Sequence, residues 1–414
     1  MGRSEIKVFL GVDMAKGEHY VQAITTDGKE LFGRAVQNDQ AALEKLLADA
    51  TAHGPVAVAV DMTSAGARLL LGVMAQHQVP VAYVSGLVMR RAADLYAGAA
   101  KTGTRDAWVL ADYARRNPDR LQWTEINDEL LVRLRVLNGH DTDLAGDTNR
   151  TINRCRDALL AFSPALERVL RQRLTQPGVR DLLAKWPTPT ALATAGRTKI
   201  RNTIGKRSPR LATRLTTHIL AAIDAQTVTL PAESTWGEVI TNLIGDPKRI
   251  QTRPRQLMTQ IEETFLHHPL GQVLNSLPGF GPRTGARTLA EIGDPYRFKN
   301  GSRLASYAGL APVNHRSGRS INRTTQHRGS NHRLKNAMFL AAFVASRHDP
   351  TAKAYYQRKR SEGKHHNAAV ICVARRRCDI ILAMLKDEAL YNPDHPKTDL
   401  TVRIKKVPLE ALRL

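Results

Sequence analysis

Three aspartates and one serine are the residues of this sequence whose surroundings suit chemistry on phosphate. Asp13 and Asp61 each close an apolar run, VFLGVD and VAVAVD, that reads as a buried strand, and Asp106 stands at the start of a helix. Acids that converge from two strand ends and a helix can hold two divalent ions about 4 Å apart, activating one oxygen of a phosphodiester and stabilising another. Magnesium suits such a site, because it takes carboxylate oxygens together with phosphate and water. One aspartate at a strand end is ordinarily a turn or cap residue. The case rests on all three falling within one α/β stretch.

Ser317, followed by Gly318, lies in a segment read as a loop, among Arg316, Arg319, Arg323, Arg328, Arg333 and Lys335, with no acid from Val313 through Met338. A serine in a polar loop is usually just solvated. To attack phosphorus it needs cations for the phosphate oxygens and help with its proton. The arginines supply the first need, and His315 or a metal the second. Upstream, LPGFGPRTG precedes an apolar helix over 286–292 and looks like a helix–hairpin–helix turn. Its glycines and Arg283 suit a backbone phosphate held at a helix N-terminus, though a plain Gly/Pro turn has the same composition. Downstream, Tyr355 and Tyr356 sit beside Arg358, Lys359, Arg360 and Lys364. Aromatics between cations make either a groove for stacked bases or a surface helix with tyrosine anchors.

These residues need elements to position them. Strands are expected over 8–12, 20–25 and 31–36 in hairpin order, then a helix over 40–52 capped by Asp39, and buried strands over 56–60 and 81–84. Helices follow over 67–77, 88–97 and 104–116. That order is compatible with an RNase H-like domain. From 127 to 162 the pattern becomes one long helix whose leucines at 3–4 spacing suit either a dimerising coiled-coil arm or a helix packed within one chain. Ser163-Pro164 starts another helix that stops near Gln176-Pro177-Gly178. Residues 179–267 read as helical and basic, with breaks at Trp186-Pro187 and Ser208-Pro209. Further helices are expected over 337–346, 352–360 and 368–385, the last interrupted at Arg375-Arg376-Arg377.

Of 61 basic and 38 acidic residues, positions 1–120 hold 14 and 13, so +22 of the formal +23 belongs to the rest. That charge marks a polyanion partner. Its spread over a long region argues against an anionic membrane, and no apolar run approaches the ~20 residues that a span requires. Cys155, Cys372 and Cys378 form no CxxC pair, which fits a reducing, cytoplasmic, nucleoid-associated location rather than a disulfide framework or structural zinc. The first residues run into a strand without an apolar leader, so no signal peptide is expected.

Taken together, GVDMAKGEH, VAVDMTSAG, AKTGTRDAWVLADYAR, the run from LPGFGPRTG to NHRSGRS, NHRLKNAMFLAAF and DPTAKAYYQRKRSEGKHHNAA resemble the DEDD insertion-sequence transposases of the IS110 family, the bridge-RNA-guided recombinases. The resemblance covers most of the chain. It implies an α/β plus α fold: a RuvC-like metal-binding domain (1–120), a helical arm (121–178), a basic helical linker region (179–270), a mostly helical transposase domain (271–390) and a tail (391–414). It implies Asp13, Asp61 and Asp106 as three of four magnesium ligands and Ser317 as the nucleophile of a composite site. It also implies donor and target DNA, a noncoding guide RNA, and action as a homodimer or tetramer. Asp61 stands where many members carry Glu. Gly103 stands where relatives carry a fourth acid, one helical turn before Asp106, and has no side chain to ligate with. Asp112, six residues from Asp106, faces elsewhere. Two other readings remain: a junction-resolving nuclease that uses only the acids and water, and a decayed transposase that binds nucleic acid without cutting.

Overall fold

A computed structural model of the chain describes residues 6–62, 65–96, 102–118, 121–123, 128–244, 253–317, 321–326 and 329–392. Apolar alternation builds its first part. Strands β1 (Val8–Asp13), β2 (Glu18–Thr25) and β3 (Glu30–Gln37) form an antiparallel meander. After helix α1 (Gln40–Thr51), β4 (Val56–Val60) pairs parallel to β1. After α2 (Arg68–Gln76), β5 (Val81–Tyr83) pairs parallel to β4. Helices α3 (Gly86–Ala93) and α4 (Gly103–Arg116) follow, and a two-residue strand that the sequence reading missed, β6 (Gln122–Trp123), closes the order β3-β2-β1-β4-β5-β6.

The strand period of two sorts side chains to the two faces of this sheet. Val8, Leu10, Val12, Val56, Val58 and Val60 share one core with Leu43, Leu46 and Leu47 of α1 and Leu70, Val73 and Met74 of α2. Phe9, Ala57 and Ala59 share the other with Met89 and Ala92 of α3 and Val109, Leu110 and Ala111 of α4. The second face is lined by small residues, and α4 lies close on it. At Gly11 a Cβ would stand 2.0 Å from the carbonyl oxygen of Ala107 and 2.5 Å from the amide nitrogen of Ala111.

The chain divides into two compact units, one of Met1–Arg133 with Phe265–Leu414 and one of Leu134–Thr264. The long helix α5 (Glu129–Phe162) runs from the first into the second. In the second unit Cys155, Leu159 and Phe162 of α5 pack against α6 (Pro164–Leu170), α7 (Pro177–Lys185), α8 (Pro189–Gly205, kinked at Gly196), α9 (Pro209–Asp224) and α10 (Glu233–Ile244). This end of α5 is therefore core of its own chain. Buried Asn138 and Asp141 interrupt the leucine series further up the helix. The helix that starts at Pro164 is shorter than the sequence suggests: it ends at Leu170, and turns carry the chain to Pro177.

Helix α11 (Arg253–His267) leads back to the first unit, where α12 (Pro269–Asn275), α13 (Pro282–Ile292) and α14 (Gly301–Tyr307) follow. Next comes a hairpin, β7 (Pro312–Ser317) with β8 (Ile321–Gln326), then α15 (His332–His348), α16 (Pro350–Ser361) and α17 (His366–Asp387). Two expectations are corrected here. Ser317 ends a strand and is not in a loop. The three arginines do not interrupt α17, because Arg377 is 3% exposed and finds partners inside: Asp349 at 3.5 Å and the carbonyl oxygen of Pro278. Residues 393–414, most of the expected tail, lie outside the described residues. Among those described, no helix is long and apolar enough to cross a membrane.

Close packing at Gly11 sets a test. Gly11→Ala is expected to cost about 3 kcal/mol in urea unfolding, since its methyl group meets backbone that cannot rotate away. Gly72→Ala, in α2 with nothing within 4 Å of the added carbon, is expected to gain roughly 0.5–1 kcal/mol. Equal effects at the two sites would refute the close approach.

Candidate active site

Backbone register places the acids. Val12 pairs with Val60 across the parallel β1–β4 ladder, so Asp13 and Asp61 leave neighbouring strand ends side by side. Two residues beyond Gly11 and Ala59 respectively, both continue the face that α4 covers. The turn after Asp13 is fixed locally: Ala15 donates its N–H to Nδ1 of His19 at 3.3 Å, and the Asn38 amide donates to the Lys16 carbonyl at 3.2 Å. Burial holds His19 below its ordinary pKa, against hydrogen bonds with Asn38 and Ala15.

Thr102 caps α4 by accepting from the N–H of Arg105 at 3.3 Å, which puts Asp106 in the first helical turn. Arg105 itself turns to α3, donating to the carbonyls of Tyr96 at 3.0 Å and Ala93 at 3.3 Å. Asp112 belongs to a different cluster. It is 1% exposed and accepts from Tyr96, Arg115 and Arg116. Burial raises its pKa, but those bonds hold it below the usual carboxylate range.

Among the described residues, no three Asp, Glu, His or Cys side chains stand close enough to hold a metal ion by themselves. Asp13 and Asp61 thus leave adjacent strand ends, and Asp106 stands in the first turn of a helix that packs on the same sheet, without forming a closed cage. As an open set they still fit magnesium, which is often bound through one or two carboxylates and completed by phosphate and water.

At the fourth-acid position, a Cβ on Gly103 would stand 2.3 Å from Cδ2 and 2.7 Å from Cγ of Tyr20. Tyr20 is the register partner of Asp13. Its ring thus covers the place from which a side chain at 103 would reach the acids.

The C-terminal half brings cations. Arg283 is exposed at the first turn of α13. The glycine turn before it is less open than its composition suggests: Gly279, at φ 92°, approaches the carbonyl of Ala341 so closely that a Cβ would be 2.2 Å away. Gly281, the α13 N-cap, has open space around it. Pro278 in the same turn is held by Arg377, whose pKa burial lowers to about 10.

In the hairpin, Ser317 pairs with Ile321, Arg316 with Asn322 and His315 with Arg323. Arg319 and Arg328 lie outside the described residues.

Several expected cations have protein partners. Arg333 is 3.9 Å from Glu291, Lys359 is 2.7 Å and Arg358 3.7 Å from Glu362, and Arg360 donates to the carbonyl of Lys364 at 2.8 Å. Lys335 is half-buried and Lys364 exposed. Arg358, Lys359 and Arg376 gather over the ring of Tyr355 at 4.9, 5.5 and 5.0 Å.

The guanidinium of Arg297 lies 4.6 Å from the ring centres of both Phe298 and Tyr307.

Residues 10–164 match a family described as transposase, and residues 271–357 one described as transposase of the IS116/IS110/IS902 family. An insertion element IS110 protein of Streptomyces coelicolor is 40% identical over 95% of this chain and 97% of its own length. An insertion element IS900 protein of Mycobacterium paratuberculosis is 36% identical over 93% and 97%. A pilin gene-inverting protein of Moraxella bovis is 33% identical over 31% of this chain and 45% of its own.

The Tyr20 contact changes what an acid at 103 would do. Gly103→Asp is expected to cost about 1–3 kcal/mol of stability through overpacking. In a Tyr20→Ala background the same change is expected to cost much less. A thermal double-mutant cycle measures the coupling. Additive effects would show that the ring swings aside freely.

Proposed function

The chain belongs to the IS110 family of transposases, and on that footing we propose that it cuts and rejoins DNA through Ser317, at a site shared with Asp13, Asp61 and Asp106 and directed by a noncoding guide RNA. The observation that carries this reading is the β1–β4 register, which sets two aspartates side by side in the same compact unit that holds the serine hairpin. The Ser317 hydroxyl attacks phosphorus and its proton passes to His315, two residues before it on β7. The bond to the 3′ oxygen breaks, leaving a 5′-phosphoserine and a 3′ hydroxyl. Attack by a second 3′ hydroxyl restores the serine and joins new partners. A magnesium ion bound by the aspartates would supply charge neutralisation at the phosphate.

The surplus of cations beyond residue 120 supports a long nucleic-acid path, and Tyr355 under three cations supports base stacking on it. The printed name of the Moraxella relative, a gene-inverting protein, is in keeping with rejoining rather than cutting alone. A homodimer or tetramer would present donor and target together. One observation favours a second reading, a chain that binds DNA without cutting: Gly103 removes an acid and Tyr20 covers its place.

A denaturing gel after incubation with the flanking noncoding RNA and both DNA partners decides. Wild type is expected to leave a covalent protein–DNA adduct in magnesium. Ser317→Ala is expected to bind both nucleic acids and form none. Asp13→Asn and Asp61→Asn are expected to abolish cutting with RNA binding intact. Cleavage without an adduct would identify a water-using nuclease, and binding without cleavage the decayed form.

A further inference from the structure

We propose that Asn38 is a positioning residue of the acid site, whose side-chain amide ties the turn that follows Asp13 to the segment that follows Asp61. This rests on the metal role given to the two aspartates in the transposase reading. It adds to that reading a residue that acts through the backbone carrying them.

The parallel ladder stops just short of the acids. Val12 and Val60 are the last pair joining β1 to β4, so Asp13 and Asp61 each stand one residue beyond it. Asp13 still pairs with Tyr20 of β2. Past that point the two chains are set relative to each other by whatever holds the residues that follow. A binding site needs its groups held within roughly 0.5 Å.

Asn38 lies just past the end of β3 and reaches both segments. Its Nδ2 donates to the carbonyl of Lys16 at 3.2 Å, on the Asp13 side, and to the carbonyl of Gly66 at 3.4 Å, on the Asp61 side. A side-chain amide has two hydrogens to give, so both go into this link. The backbone N–H of Asn38 donates to the carbonyl of Gly17 at 2.9 Å, a second hold on the first turn. The two segments also lie together at another point: a Cβ on Gly66 would be 3.7 Å from the carbonyl oxygen of Ala15, an ordinary contact.

His19 supports the link from inside. Its side chain is buried, and its Nδ1 accepts from the N–H of Ala15 at 3.3 Å. Burial favours the neutral ring, whose hydrogen then sits on Nε2. Nε2 faces Asn38, and both it and Asn38 Oδ1 are shut off from water. Ala15, Lys16 and Gly17, the middle of the turn between β1 and β2, are therefore each bonded to His19 or to Asn38.

The link needs a donor. Both of its far ends are carbonyl oxygens, and a carboxylate at position 38 would leave them facing a further acceptor. Charge makes the opposite demand, because one more acid near Asp13 and Asp61 would by itself draw a divalent cation more strongly. The isosteric change Asn38→Asp therefore sets hydrogen bonding against charge.

The test is Mn2+ binding to the full-length chain, read from the EPR signal of the free ion at a temperature below the onset of melting. Wild type is expected to bind Mn2+ at a site that Asp13→Asn loses. Asn38→Asp is expected to weaken that binding by roughly 10–100-fold in spite of its added charge, the range usual for residues that orient a metal ligand. Asn38→Ala is expected to weaken it as well. In hydrogen exchange of wild type, the Ala15 and Asn38 amides are expected to exchange more slowly than those of exposed turn residues, since both donate within the link.

Unchanged or tighter Mn2+ binding in Asn38→Asp overturns the positioning role, because charge alone would then govern the site. If Asn38→Asp does not fold, unchanged binding in Asn38→Ala overturns it. If neither variant folds, fast exchange of the Ala15 and Asn38 amides in wild type overturns the link itself. Mn2+ binding that survives in Asp13→Asn overturns the metal role of the acids and this proposal with it, whereas binding lost in Asp13→Asn and kept in both Asn38 variants overturns the role of Asn38 alone.

Discussion

The site depends first on a missing side chain. Gly11 lets α4 lie against β1 so closely that any Cβ would enter its backbone. Asp13 is two residues further along the same strand face, and Asp106 is on the adjoining turn of the helix. The parallel β1–β4 ladder then adds Asp61 at the same edge. Ala57 and Ala59 serve the same end on β4, since larger residues there would lift the helix away. One choice of small residues along a sheet face thus lets α4 lie close on the strand that carries Asp13.

Buried and exposed charges find different partners in this protein. Asp112 and Arg377 are buried and engaged with internal partners, and both serve packing: one ties α4 to Tyr96, the other ties α17 to the turn before α13. Lys359 and Glu362 are exposed and paired, and hydrogen bonding between them moves their pKa values apart. Such a surface pair contributes little to stability, but it changes how many cations are free for nucleic acid.

The N-terminal sheet was legible because its strands are apolar runs bounded by turn residues. VAVAV between Gly54-Pro55 and Asp61 admits few other readings. The hairpin of Ser317 was not legible, because NHRSGRSINRTTQ has no apolar alternation to mark a strand period. The continuity of α17 was hidden for a related reason. Three consecutive arginines look solvated, and only the positions of Asp349 and Pro278 explain why one of them is inside. The acids could be nominated from strand ends.

The first 120 residues are nearly neutral, so the acids meet little cationic charge in their own domain. A phosphodiester brought to them would face carboxylate repulsion unless cations arrived from elsewhere. The C-terminal part of the same compact unit carries such cations, among them Arg283, exposed at the first turn of α13.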